Sequence, residues 1–156
     1  MTVYAEDIEI GQSASYARTV TEKDIALFGE ATGDMNPVHF DEAYAATTPF
    51  KTRIAHGMLT AGYFSAVLGT KLPGAGSVYV AQTLAFKAPV RIGDAVTATC
   101  TVTAKDRRRV TLACVATVMA WDEGQTLTTR FEHACAAARR AHRHWTLGAS
   151  YSGFAE

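Results

Sequence analysis

The chain has 156 residues, about the size of one domain and long enough to bury a core without disulfides or a structural metal. Apolar residues make up 48% and charged residues 19%, which argues against a disordered chain. Lys plus Arg and Asp plus Glu number 15 each, so zero formal charge gives no overall pull toward nucleic acid or an anionic membrane.

The opening MTVYAEDIEIGQ has no basic segment followed by an apolar run, so it is not expected to be a secretory signal. SASYARTV, Ser13 to Val20, alternates loosely and predicts a first strand. Thr21 with Asp24 three residues on resembles a capping box, and Ile25, Leu27 and Phe28 supply a partial apolar face. That helix is expected to stop near Gly33. DEAYAATT, Asp41 to Thr48, predicts a short helix that ends before Pro49, since a residue preceding proline is pushed out of the α region.

RIAHGMLTAGYFSAVLGTKLPG is the longest helical candidate. Ile54, Met58, Leu59, Tyr63, Phe64, Val67 and Leu68 are large and apolar, while Gly57, Ala61, Gly62, Ser65 and Ala66 are small. A helix apolar or small nearly all round is expected to be buried nearly all round. The stretch from Ile54 to Leu72 contains His56 and Lys71 and makes a poor membrane span, which would need ~20 predominantly apolar residues.

From Ser77 onward strand signals dominate. SVYVAQTLAFKAPV, AVTATCTVTAK, RVTLACVATVMAW and TLTTRFEHACAAA are rich in Val, Thr and aromatics with frequent alternation. RIGD, KDRRR and DEGQ mark the turns between them. The cysteines, Cys100, Cys114 and Cys135, are odd in number with no zinc-like spacing, and read as reduced thiols in the cytoplasm. Cys100 and Cys114 are symmetric about the turn at Asp106 to Arg108 and are candidates to face each other across a hairpin. One long helix against a curved antiparallel sheet is an α+β arrangement.

The chemistry-bearing stretch is GDMNPVHFD, Gly33 to Asp41. Pro37 fixes its own φ and biases Asn36 toward extended backbone, so the loop is stiff. If the chain turns between them, Asp34 and His39 point into one cavity and hold one water between a carboxylate and an imidazole. That suits acid–base chemistry, because His titrates near neutrality and burial can raise a carboxylate's pKa. An ordinary reading stands beside it, with Asp34 as a helix cap and His39 as a packing residue. A second feature is His56-Gly57 at the start of the apolar helix. Gly lets a ligand approach the backbone, and free N–H groups at a helix start attract developing negative charge, so Gly57 N–H is a candidate oxyanion donor. The alternative is that Gly57 only permits close packing there.

These segments, followed by Tyr79-x-x-Gln82, by Phe86-x-x-Pro-Val and by Gly93-Asp94, resemble the MaoC-like hydratases, and among them the R-specific enoyl-CoA hydratases. The resemblance runs from about Ile10 to about Trp121. It implies a hot-dog fold, a long central helix wrapped by an antiparallel sheet, usually paired as a homodimer. It implies reversible hydration of a trans-2-enoyl-CoA to the (R)-3-hydroxyacyl-CoA, with no metal or redox cofactor beyond the coenzyme A of the substrate. Asp34 and His39 match the family's catalytic dyad and Gly57 its backbone donor. Ser65 matches a serine that bonds the catalytic carboxylate, and Asn36 a residue that holds the loop. His56, Tyr63, Phe64, Leu68 and the segment from Tyr79 to Phe86, with Gln82, are candidates to line the substrate site.

Residues 1–138 are expected to form one domain of this kind. Residues 139–156 depart from the pattern with a basic run, Arg139, Arg140, His142, Arg143 and His144. It reads either as a solvated terminus or as a contact for CoA phosphates or a dimer partner. His142 and His144 alone make a weak metal site, and Arg107 to Arg109 read as a charged hairpin tip. Expected partners are an acyl-CoA thioester and a second copy of the chain, without nucleic acid or membrane. The competing functions are a hot-dog thioesterase and a non-catalytic acyl-binding subunit.

Overall fold

A computed structural model describes residues 5–119 and 126–136, the last segment by its backbone. After a short 3-10 turn at Ala5–Asp7, the chain forms β1 (Ser13–Thr19) and α1 (Glu22–Thr32). Thr21 caps α1 through the expected box: its hydroxyl accepts from Asp24 N–H, and the Asp24 carboxylate accepts from Thr21 N–H. Asp24 is also salt-bridged to Arg18 of β1, which ties the helix start to the sheet. α1 stops at Gly33, whose φ of +77° is a left-handed cap that costs glycine little.

Two short helices follow, α2 (Pro37–Phe40) and α3 (Glu42–Thr47). The first replaces what reads in sequence as a stiff loop. Asn36 accepts from Val38 N–H and Pro37 occupies the first helical position, so the same residues that stiffen a turn also nucleate one turn of helix. Asp41 then caps α3 by accepting from Tyr44 N–H. α4 (Gly57–Thr70) is the long helix. It begins at Gly57 and not at Arg53, because Ile54 bridges Arg91 and Ala55 N–H donates to Val90 O at 2.7 Å, which keeps those residues extended.

The sheet comprises β1, β2 (Val78–Leu84), β3 (Ala95–Asp106), β4 (Arg109–Met119) and β5 (Thr126–Ala136) in the order β1-β3-β4-β5-β2. Every pairing is antiparallel. Alternate residues of β3 (Val96, Ala98, Cys100, Val102) and β4 (Val110, Leu112, Cys114, Ala116, Val118) are buried. They form one apolar face, and α4 lays Phe64, Val67 and Leu68 into the same core. Cys100 and Cys114 are directly opposed, as their symmetry about the turn predicts, and neither forms a disulfide.

α4 is not buried all round. Met58, Gly62, Ser65 and Gly69, spaced at helical period, form an open stripe, with Met58 48% exposed. A helix lying on one sheet buries the stripe that faces it, and no layer from the described chain covers the opposite side. Among the described residues no helix is long and apolar enough to cross a membrane. The turn DEGQ and the basic segment 139–156 lie outside the described residues.

Candidate active site

The site forms where the α1–α2 connection meets the start of α4. Beyond Gly33, Asp34 N–H donates to Thr32 Oγ1 and Asp34 Oδ1 accepts from Asn36 N–H, both at 3.3 Å. α2 then places His39 inward, with 8% of its surface exposed. Close packing of α2 against α1 depends on Gly29: a Cβ there would lie 2.5 Å from Phe40 Cζ.

His39 Nδ1–H donates to the Ile54 carbonyl at 2.8 Å. A carbonyl only accepts, so this bond fixes the proton on Nδ1 and leaves Nε2 as the acceptor. Burial holds the His39 pKa below its usual 6.5, and His56 lowers it further against the opposing pull of the Ile54 bond and Asp34. The imidazole is therefore neutral near pH 7, the form that can take a proton.

The fold adds a second imidazole. His56 Nε2–H donates to the Asp34 main-chain carbonyl at 2.9 Å. The His39 and His56 rings stack with centroids 3.8 Å apart and planes at 31°. Asp34, His39 and His56 each offer one ligand atom within 4.8 Å of the others. Residues 22 apart in sequence meet here through the turn of the chain, so sequence spacing alone does not reveal the group. The donor types, one carboxylate and two imidazoles, are ones that divalent metals take.

These three residues line a cavity of about 400 Å³. Gly57 and Met58 form its wall at the start of α4, and Phe50, Phe86, Pro89 and Val90 supply apolar surface. Lys87 is the cation at its lining. The volume is within the range of small-ligand sites. His56 occupies the N-cap of α4 but its side chain makes no cap hydrogen bond, so the first N–H groups of the helix keep their capacity to donate. A Cβ at Gly57 would stand 2.8 Å from the Phe86 ring, so glycine lets the ring lie this close without shifting.

Asp34, His39, His56 and Gly57 thus come together, with Asn36 capping the helix that carries His39. Other candidates fall elsewhere. Tyr63 (6% exposed) and Phe64 (0%) are core residues and do not line the cavity. Tyr63 packs edge-on against Tyr16 at 5.7 Å. Leu68 is likewise buried in the core. Ser65 and Gln82 line a second, shallower pocket of about 240 Å³ with Gly62 and Tyr79, where Tyr79 OH donates to Gln82 Oε1 at 2.6 Å. Ser65 sits two turns along α4 on its open stripe, so within one chain it is not part of the cavity that holds Asp34. Pro89 and Val90 stand in the Phe86-x-x-Pro-Val motif but are not among the candidate site residues, and Phe50 is not singled out at all, because nothing local distinguishes a cavity wall from ordinary loop packing.

The MaoC like domain family matches residues 5–125. The (R)-specific enoyl-CoA hydratase of Rhodospirillum rubrum is 61% identical over 117 residues, which span 74% of this chain and 81% of that protein. The 3-hydroxybutyryl-CoA dehydratase of Methylorubrum extorquens is 52% identical over 118 residues, 74% of this chain and 75% of that protein. Among solved structures, the unliganded R-hydratase PhaJ1 of Pseudomonas aeruginosa superposes with a TM-score of 0.79 at 36% identity, covering 97% of both chains. The (R)-hydratase of A. caviae involved in PHA biosynthesis has a TM-score of 0.77 at 40% identity, covering 85% of this chain and 98% of that one. With its cavity built on the GDMNPVH turn and the glycine start of the long helix, the chain belongs to the MaoC-like dehydratase family and has the hot-dog fold.

Proposed function

We propose that the chain catalyses the reversible hydration of a trans-2-enoyl-CoA to the (R)-3-hydroxyacyl-CoA. The observation that carries this reading is the placement of His39, with Nδ1 held by the Ile54 carbonyl and Nε2 left to accept, in one cavity with Asp34 and the first residue of α4. The names of the similar hydratases support the same chemistry.

The thioester carbonyl withdraws electrons from C3. Water held between Asp34 and His39 attacks that carbon and forms the C3–O bond. One water O–H bond breaks and its proton passes to His39 Nε2. The C2=C3 pair shifts toward the thioester oxygen, where Gly57 N–H donates to the growing charge. The pair then returns to form a C2–H bond, with the proton supplied by the dyad. Charge is redistributed without net oxidation, so the chemistry proceeds through Asp34, His39 and Gly57. Asn36 supports the reaction by holding α2.

We further propose a homodimer. The open stripe of α4 beside β2, an edge strand whose Val78 and Val80 are 44% and 50% exposed, supports burial by a second copy. Ser65 and Gln82 belong to that surface, so their contribution to the substrate site depends on the partner.

Purified protein should hydrate crotonyl-CoA, read as loss of enoyl-thioester absorbance. Asp34→Asn and His39→Ala should each reduce kcat by about 100- to 10,000-fold while the protein stays folded. Full activity in either variant overturns the dyad. Release of free CoA in place of hydration makes the protein a thioesterase.

A further inference from the structure

We infer that His56 is a positioning residue for hydration, holding Asp34 by its main chain and His39 by its ring so that both face one water. The inference rests on the hydration reading above. By sequence His56 is a candidate for substrate contact, yet its side chain is 2% exposed and its contacts run to the dyad.

Asp34 needs a tether, because it lies on an exposed turn between two helices. The Asp34 bonds to Thr32 and Asn36 are both 3.3 Å, long for their kind, while the His56 bond to the Asp34 carbonyl is 2.9 Å. His39 needs two constraints, one on an atom and one on a plane. The Ile54 carbonyl fixes Nδ1, and the stacked His56 ring restricts rotation of the plane. His56 is itself boxed by Phe28 (centroids 4.8 Å apart) and Phe40 (5.7 Å). It also immediately precedes Gly57, so one rigid side chain references both dyad members to the start of α4. The bond to Asp34 sets the His56 proton on Nε2, and Nδ1 is buried without a protein partner. His56 touches Asp34 by the backbone and His39 by the ring face, so it acts through them and not on the reacting atoms.

The test uses the full chain with crotonyl-CoA and two substitutions that separate the contacts. His56→Phe keeps a ring for stacking and removes the N–H. His56→Gln brings an amide N–H toward the Nε2 position. A misplacement of about 1 Å can cost about 100-fold, so His56→Phe should lose about 100-fold in kcat with KM changed by less than about twofold. His56→Gln should recover at least about tenfold of that loss. Wild-type kcat in His56→Phe, or a raised KM at unchanged kcat, overturns the role, the second in favour of substrate contact. Equal losses in the two variants also overturn it, because the bond to Asp34 would then not matter. Melting curves accompany each variant. If His56→Phe does not fold, His56→Gln decides: a rise in KM above about tenfold refutes positioning, and reduced kcat at unchanged KM supports it. Wild-type protein that leaves crotonyl-CoA unchanged ends the hydration reading and this role together, whereas active wild type with indifferent His56 variants ends only this role.

Discussion

Replacing Gly57 by Ala adds one methyl group to the cavity wall. That Cβ would lie 2.8 Å from Phe86 Cε1, 3.0 Å from Cδ1 and 3.1 Å from Cζ. Reaching 3.4 Å, the start of ordinary contact, requires the ring to retreat by about 0.6 Å (3.4 − 2.8). Phe86 is 51% exposed and its ring ends a flexible side chain, so the retreat is cheap. Ala is favoured over Gly by up to about 1 kcal/mol in a helix interior, and at Gly57, the first residue of α4, a smaller part of that preference offsets the contact. The expected change in stability is therefore under about 1 kcal/mol. Activity should respond differently, because the methyl and the displaced ring occupy space beside the N–H proposed to meet the thioester oxygen. With misplacements near 1 Å costing about 100-fold, kcat/KM should fall by about 10- to 100-fold, or about 1.4–2.7 kcal/mol of barrier. Initial rates of crotonyl-CoA hydration over a range of concentrations measure this loss, and urea unfolding of the same sample measures stability. Wild-type kcat/KM in a folded Gly57→Ala protein would refute the need for close approach at this position.

The pH dependence follows from the depressed His39 pKa. In the free enzyme the acid limb of kcat/KM should be centred below pH 6.5, and an acid limb centred above 6.5 contradicts the burial argument. Stability carries the same sign. Between 6.5 and the lower folded pKa the unfolded chain binds more protons, so the His39 contribution is present above 6.5 and is lost as pH falls through the folded value. Denaturant midpoints at several pH values check this against a His39→Gln protein, in which that part of the slope should vanish. Phe64→Ala tests the reassignment of a candidate site residue to the core. It should cost about 3–5 kcal/mol by urea unfolding, since Phe64 is 0% exposed, while KM for crotonyl-CoA shifts by less than about twofold. A raised KM without loss of stability would return Phe64 to the substrate site.

Local chemistry made much of this legible. Thr21, Asp24 and Gly33 delimit α1 as their capping preferences predict, because those interactions close within a few residues. The strands of the second half emerge from alternation, and the symmetry of Cys100 and Cys114 about their turn anticipates their pairing. The segment from Asp34 to His39 was legible as chemistry, although its middle is a helical turn and not an open loop. Asn36 and Pro37 serve both conformations, and their neighbours decide between them.

The candidates that lie outside the cavity share a cause. Tyr63, Phe64 and Ser65 are consecutive on α4, yet two face the core and one faces outward. Composition shows that such a helix is apolar, but not which stripe the sheet covers.

By itself, then, the amino-acid sequence pointed to most of the elements, to Asp34 and His39 as a candidate pair and to the glycine near the start of the long helix, because spacing, caps and turn residues act over short distances. Only the tertiary structure decided that His56 stacks on His39 and grips Asp34, that Phe86 closes over Gly57, and that one side of α4 stays open. Those contacts join segments far apart in the chain, and their distances exist only once the sheet and α4 have fixed where each segment lies.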